Sequence, residues 1–174
     1  MKEIVQNGDP VLRDIAKEVS VDKITSPEIK KVISEMSEAL ATQDDGVAIA
    51  APQIGYSYRI FVVAGKVLEN EEEGAKKKDM VFINPVIKKL SKKTVWLEEG
   101  CLSVRPFWGE VKRSLQATVE AYDEDGNKFT RGASGLLAHI FQHETDHLNG
   151  ILFIDKAKNV VEGTMQRDMS KYEQ

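Results

Sequence analysis

Apolar side chains recur at helical and strand periods in separate parts of the chain. Ile29, Val32, Ile33, Met36 and Leu40 fall three or four residues apart, which places them on one face of a helix. Ser26 is suited to cap that helix and Pro27 to occupy its first turn, so a helix is predicted to begin there. A second long helix is predicted over residues 133–147, presenting Leu136, Leu137 and Ile140, and a weaker one over 159–172. Asp9 and Pro10 ahead of Val11, Leu12 and Ile15 predict a short capped helix or turn. The runs 60–63, 81–83 and 94–97 are apolar or β-branched and read as strands. Residues 115–122 and 128–131 flank Asp125-Gly126 and predict a hairpin. The small residues from Asp45 to Gln53 predict a tight loop feeding a strand, and the charged stretch 69–79 a solvated loop. The expected class is α+β, with short, mostly antiparallel strands wrapped around a central helix near the C-terminus. A single domain is expected to span residues 1–174.

Composition narrows the function classes. The net charge is −4 with 30% charged residues of both signs interspersed, which argues against a nucleic-acid groove and against a basic membrane-binding face. No apolar run approaches the ~18 residues of a membrane helix, and the N-terminus lacks the apolar stretch of a signal peptide. One cysteine excludes an internal disulfide. The expectation is a cytoplasmic protein that binds neither DNA nor membrane.

The second long helix carries the chemistry, in the pattern His143-Glu144-Thr145-Asp146-His147. Histidines four apart stand one above the other on a helix and can grip one metal ion. Glu144 lies about 100° round from His143, placed to reach a water on that ion without being a ligand. An ion lowers the pKa of its water to ~7, and the carboxylate can take the proton. His139 is also four residues from His143, making 139/143 a rival pair. His139 and His147 are about 12 Å apart at 1.5 Å per residue, too far to share an ion. Only the 143/147 pair has a glutamate directly after its first histidine.

Such a site needs a third protein ligand and an open position. The stretch after His147 begins a metzincin pattern, but Phe153 stands where that pattern requires histidine. Only Glu162 and Glu173 follow as downstream glutamates, the latter next to the last residue. Upstream, Cys101 is the sole thiol and follows Gly100 at the end of a predicted strand. It is the better candidate. A different small zinc peptidase and a non-catalytic metal-binding domain are the rival readings.

Three segments together resemble the peptide deformylase family. They are the loop Gly46-Val47-Ala48-Ile49-Ala50-Ala51-Pro52-Gln53, the segment Glu99-Gly100-Cys101-Leu102-Ser103 and the helix Gln142-His143-Glu144-Thr145-Asp146-His147-Leu148. With Gly8 to Arg13 and Gly150 to Asp155, the resemblance spans residues 8 to about 155. It implies Cys101, His143 and His147 as ligands of one divalent ion, with ferrous iron as that ion and zinc, nickel or cobalt able to substitute. It implies Glu144 as general base and then acid, and Gln53 with the Leu102 backbone N–H as donors to the developing oxyanion. Gly46, Val47 and Ala48 would lie along the substrate peptide, and His139 would border the methionine pocket. The implied reaction removes the formyl group from N-formyl-methionyl nascent peptides, with weak ribosome association. Asp146 is expected to pair with Arg113. Ala48 replaces a glycine of the loop motif, and Arg105-Pro106 departs from a common Pro-led dipeptide.

Overall fold

The computed structural model describes residues 1–68, 77–164 and 168–172. Most of the charged stretch predicted as a loop lies outside them. The elements in chain order are α1 (Pro27–Ala41), β1 (Ala48–Ala50), β2 (Ile60–Val63), α2 (Gly65–Leu68), β3 (Met80–Leu90), β4 (Thr94–Gly100), β5 (Phe107–Ser114), β6 (Gln116–Tyr122), β7 (Lys128–Ser134), α3 (Gly135–Leu148) and β8 (Lys158–Glu162). Short 3-10 turns at Pro10–Arg13 and Ala51–Ile54 join them. Two antiparallel sheets result, ordered β1-β2-β3-β6-β7 and β4-β5-β8. This is the α+β arrangement that the sequence predicts. Among the described residues no helix is long and apolar enough to cross a membrane.

α1 begins where Ser26 Oγ accepts a hydrogen bond from Ile29 N at 3.4 Å, and it ends where the Thr42 hydroxyl donates back to Ala39 O. Its predicted face is buried against β2 and the Ala51–Ile54 turn. α3 is the central element and packs on both sheets, touching β1, β2, β3, β6 and β7 on one side and β5 on the other. Phe141 fixes its depth. That ring lies 5.1 Å from Phe82 and 6.3 Å from Phe61, and Phe61 stacks on Phe82 at 4.5 Å. All three are fully buried, and such aromatic contacts add to the burial energy of the rings.

β3 is longer than predicted and bends at Asn84-Pro85. Proline has no N–H for the ladder, so the register shifts between Ile83 and Val86. Asn84 adopts φ +50° there, and its side chain binds both Val19 N and Val19 O. Two expectations need correction. Residues 45–53 are not simply a loop, because Ala48–Ala50 pair with Val63–Phe61 of β2. The described residues of the predicted helix over 159–172 do not form one, and 165–167 lie outside them. Lys158–Glu162 is a strand on β5, and Met169–Tyr172 is a 3-10 turn.

Gly150 ends the central helix at φ +72°, and a Cβ there would meet Arg13 O at 2.4 Å. Gly150→Ala is therefore expected to destabilise the fold by at least about 1–2 kcal/mol from left-handed strain alone. Urea unfolding midpoints of the two proteins measure this, and equal midpoints would contradict it.

Candidate metal centre

β4 and α3 meet where the chemistry-bearing residues lie. Cys101 directly follows β4, while His143, Glu144 and His147 sit on α3. One ligand atom each from Cys101, His143 and His147 falls within a set no more than 4.8 Å across. Cys101 Sγ is 3.2 Å from His147 Nε2, and the two imidazole centroids are 5.0 Å apart at 71°. His139 is outside this set, so the helix presents the 143/147 pair.

Glu99, two residues before Cys101, organises the surroundings. Its Oε1 accepts from Arg113 Nη2 at 2.7 Å and from His143 Nδ1, and its Oε2 accepts from Arg113 Nε at 3.1 Å. Oε2 also lies 2.5 Å from His139 Nε2. Burial pushes the Glu99 carboxyl up, but attraction to His139 and His143 outweighs it and holds the group well below the usual carboxylate range. Because His143 gives its Nδ1–H to Glu99, its Nε2 lone pair is the one available to an ion. Burial opposes a charge on His143, yet Glu99 raises it well above the ordinary histidine value. His147, buried and beside His143, is held well below it. Asp146 pairs with Arg113 Nη1 at 2.7 Å, as expected, and also accepts from Lys156 Nζ at 3.0 Å.

Glu144 is 3% exposed, and its Oε2 has no hydrogen-bond partner among the described residues. Burial raises its carboxyl to about 7, against the pull of His143. Gln53 is held by the Ala51–Ile54 turn. Its Oε1 accepts from Ala50 N at 2.9 Å, and its Nε2 donates to Ser103 Oγ at 3.1 Å and to Cys101 Sγ at 3.5 Å. A cavity of about 540 Å³ opens onto these groups. Of the predicted site residues, Gly46, Val47, Ala48, Gln53, Cys101, Leu102, His139, His143 and Glu144 line it, and the buried His147 does not.

Other wall residues were not predicted: Arg105, Pro106, Phe107 and Trp108 from the start of β5, and Glu162, Gly163 and Thr164 from the end of β8. Arg105 Nη2 reaches Asp45 Oδ1 at 2.7 Å across the mouth. Gly46, which lines the cavity, also has a packing role. A Cβ at Gly46 would stand 2.9 Å from Leu40 Cδ1 and 3.0 Å from Gln43 Cβ, so its bareness lets the loop close on the end of α1. Glu99 as the hub was missed as well. Its signal was strand alternation, since the buried Leu97 two residues earlier puts Glu99 on the inward face.

The residues fit a divalent ion. Thiolate and two imidazoles are a common donor set for such ions, and the unpartnered Glu144 Oε2 beside them leaves a buried acceptor for a water or substrate proton.

The family model described as Polypeptide deformylase matches residues 1–162. A peptide deformylase of Carboxydothermus hydrogenoformans is 42% identical over 91% of this chain and 94% of its own length. Peptide deformylase 1A, chloroplastic/mitochondrial, of Arabidopsis thaliana is 41% identical over 90% of this chain, which spans 61% of that longer protein. A Met-Ala-Ser-bound class I type b peptide deformylase of Acinetobacter baumannii superposes with a TM-score of 0.80 at 32% identity, covering 90% of this chain and 98% of that one.

Proposed function

The chain belongs to the polypeptide deformylase family, and from that membership we propose that it hydrolyses the N-formyl group from the terminal methionine of newly made polypeptides. The observation that carries this reading is the convergence of Cys101, His143 and His147, the first two of which line a cavity, with a buried Glu144 that has an unpartnered oxygen. The Acinetobacter baumannii relative was solved with Met-Ala-Ser bound, a peptide of the kind such a reaction releases.

Cys101, His143 and His147 would hold the ion, which when bound supplies the Lewis acidity that acidifies water and polarises a carbonyl. Glu144 takes a proton from the attacking water as its oxygen adds to the formyl carbon. Gln53 Nε2 and the Leu102 N–H donate to the formyl oxygen as charge gathers on it. Glu144 then returns the proton to the amine nitrogen as the C–N bond breaks, leaving formate and a free N-terminus. Leu136, Ile140, Phe107 and Trp108 line the cavity and give the methionine side chain an apolar wall. Gly46, Val47 and Ala48 lie along the peptide.

Formate release from formyl-Met-Ala-Ser by anaerobically purified, metal-replete protein tests the reading. Absence of formate from that protein would overturn it.

The resident ion in this reading is ferrous iron, as the family resemblance implies. A thiolate on ferrous iron is exposed to oxidation. Iron-loaded protein is therefore expected to lose activity in air over a period in which zinc- or nickel-loaded protein keeps it. Equal persistence of all three forms would count against iron on Cys101.

A further inference from the structure

His139 presents a physical problem for a pocket that takes methionine. It lines the cavity between Leu136 and Ile140, yet it is an imidazole, and only 4% of it is exposed. A buried nitrogen without a partner in such a wall would disfavour an apolar side chain.

The surrounding bonds resolve this. Glu99 faces the Arg113 guanidinium in a two-fold ion pair, each of its oxygens taking one Arg113 N–H, so it acts as an acceptor. His139 Nε2, 2.5 Å from Glu99 Oε2, must therefore carry the hydrogen. Burial favours the neutral ring, and a neutral imidazole protonated at Nε2 has a lone pair at Nδ1. The Tyr172 hydroxyl lies 3.2 Å from Nδ1, and the two rings stack at 5.7 Å with 20° between their planes. Tyr172 comes from the turn Met169–Tyr172, and its carbonyl oxygen lies close against Gly135 at the start of α3.

We propose that Tyr172 is a specificity-determining positioning residue: its hydroxyl donates to His139 Nδ1, fixes the Nε2–H tautomer on Glu99, and so turns the imidazole's carbon edge toward the first side chain of the substrate. The methionine pocket thus owes its apolar character at this wall to a residue that does not line it. Its consequence for substrate choice rests on the deformylase reading, whereas the tautomer does not.

The test uses full-length zinc-loaded protein and Tyr172→Phe, which keeps the ring and removes only the donor. In spectra of ¹⁵N-histidine-labelled protein, His139 should show a protonated Nε2 and a hydrogen-bonded acceptor at Nδ1. The Nδ1 signal should shift in Tyr172→Phe. The kcat/KM preference for formyl-Met-Ala-Ser over formyl-Gln-Ala-Ser should fall by about fivefold or more, with KM for the methionine peptide rising more than kcat falls. In a His139→Leu background, Tyr172→Phe should no longer change that preference, since no nitrogen remains to satisfy. Wild-type-like spectra and preference in Tyr172→Phe would overturn the proposal, as would a tyrosine effect undiminished in the leucine background. If the wild type releases no formate, the deformylase reading fails, while the nitrogen spectra still decide whether Tyr172 fixes the ring.

Discussion

Replacing Glu144 by glutamine is expected to lower kcat on a formylated peptide by about 10²–10⁴-fold, the usual contribution of a positioned acid–base group, while the bound metal stays at the wild-type level. Glutamine has the shape of glutamate and keeps an acceptor oxygen, but it cannot take a proton from water or return one to the amine. The carboxylate is outside the Cys101, His143 and His147 cluster, and one of its oxygens is 3.9 Å from His143 Nε2. Its removal should therefore leave the ion's donors in place. A buried carboxyl raised to about 7 is also close to the condition of a group that gives and takes protons at neutral pH. Elemental analysis of the same samples used for kinetics separates the two effects. Near-normal turnover in metal-replete Glu144→Gln protein would remove Glu144 from the mechanism. Metal loss in proportion to activity would mean that it acts on the ion's retention.

The parts of this site that were legible in the sequence are those with local spacing. His143, Glu144 and His147 share one helix, whose 3.6-residue period fixes their relative directions before any tertiary contact is known. α1 was legible for the same reason, with Ser26 and Pro27 marking its start. β5 was not. Its inward residues are Gly109, Val111 and Arg113, so an arginine and a glycine stand where alternation would show apolar side chains. The arginine is inward because it answers Glu99 across the β4–β5 ladder, where Val95 pairs with Arg113 and Glu99 with Gly109. β8 was read as a helix because all five of its residues are exposed and carry no burial pattern of their own. Pairing with Phe107, Trp108 and Glu110 makes it a strand, a tertiary cause that propensity does not contain. The place of His139 depends likewise on contacts distant in sequence, Glu99 and Tyr172.

Arg113 is expected to be the most costly of the supporting residues to lose. It is 4% exposed and bridges Glu99, equally buried on β4, to Asp146 on α3. Truncating one member of a buried, hydrogen-bonded ion pair leaves the other charge uncompensated, which typically costs about 3–5 kcal/mol. Arg113→Ala should lower stability by that order, because the Glu99 carboxylate would keep only its histidine donors. Asp146→Ala should cost less. Asp146 is partly solvated, and its loss leaves Arg113 still paired in two places with Glu99. The double variant should fall short of the sum of the two losses, since removing the arginine also removes the principal partner of the aspartate. Urea unfolding of metal-loaded wild type, both single variants and the double variant gives the coupling directly. The metal state must be matched, because bound ion adds its own stabilisation to any form that keeps the ligands aligned. Strictly additive losses would show that Arg113 and Asp146 act independently. An Arg113→Ala protein as stable as wild type would show that the hydrogen bonds from His139 and His143 sustain Glu99 without the arginine.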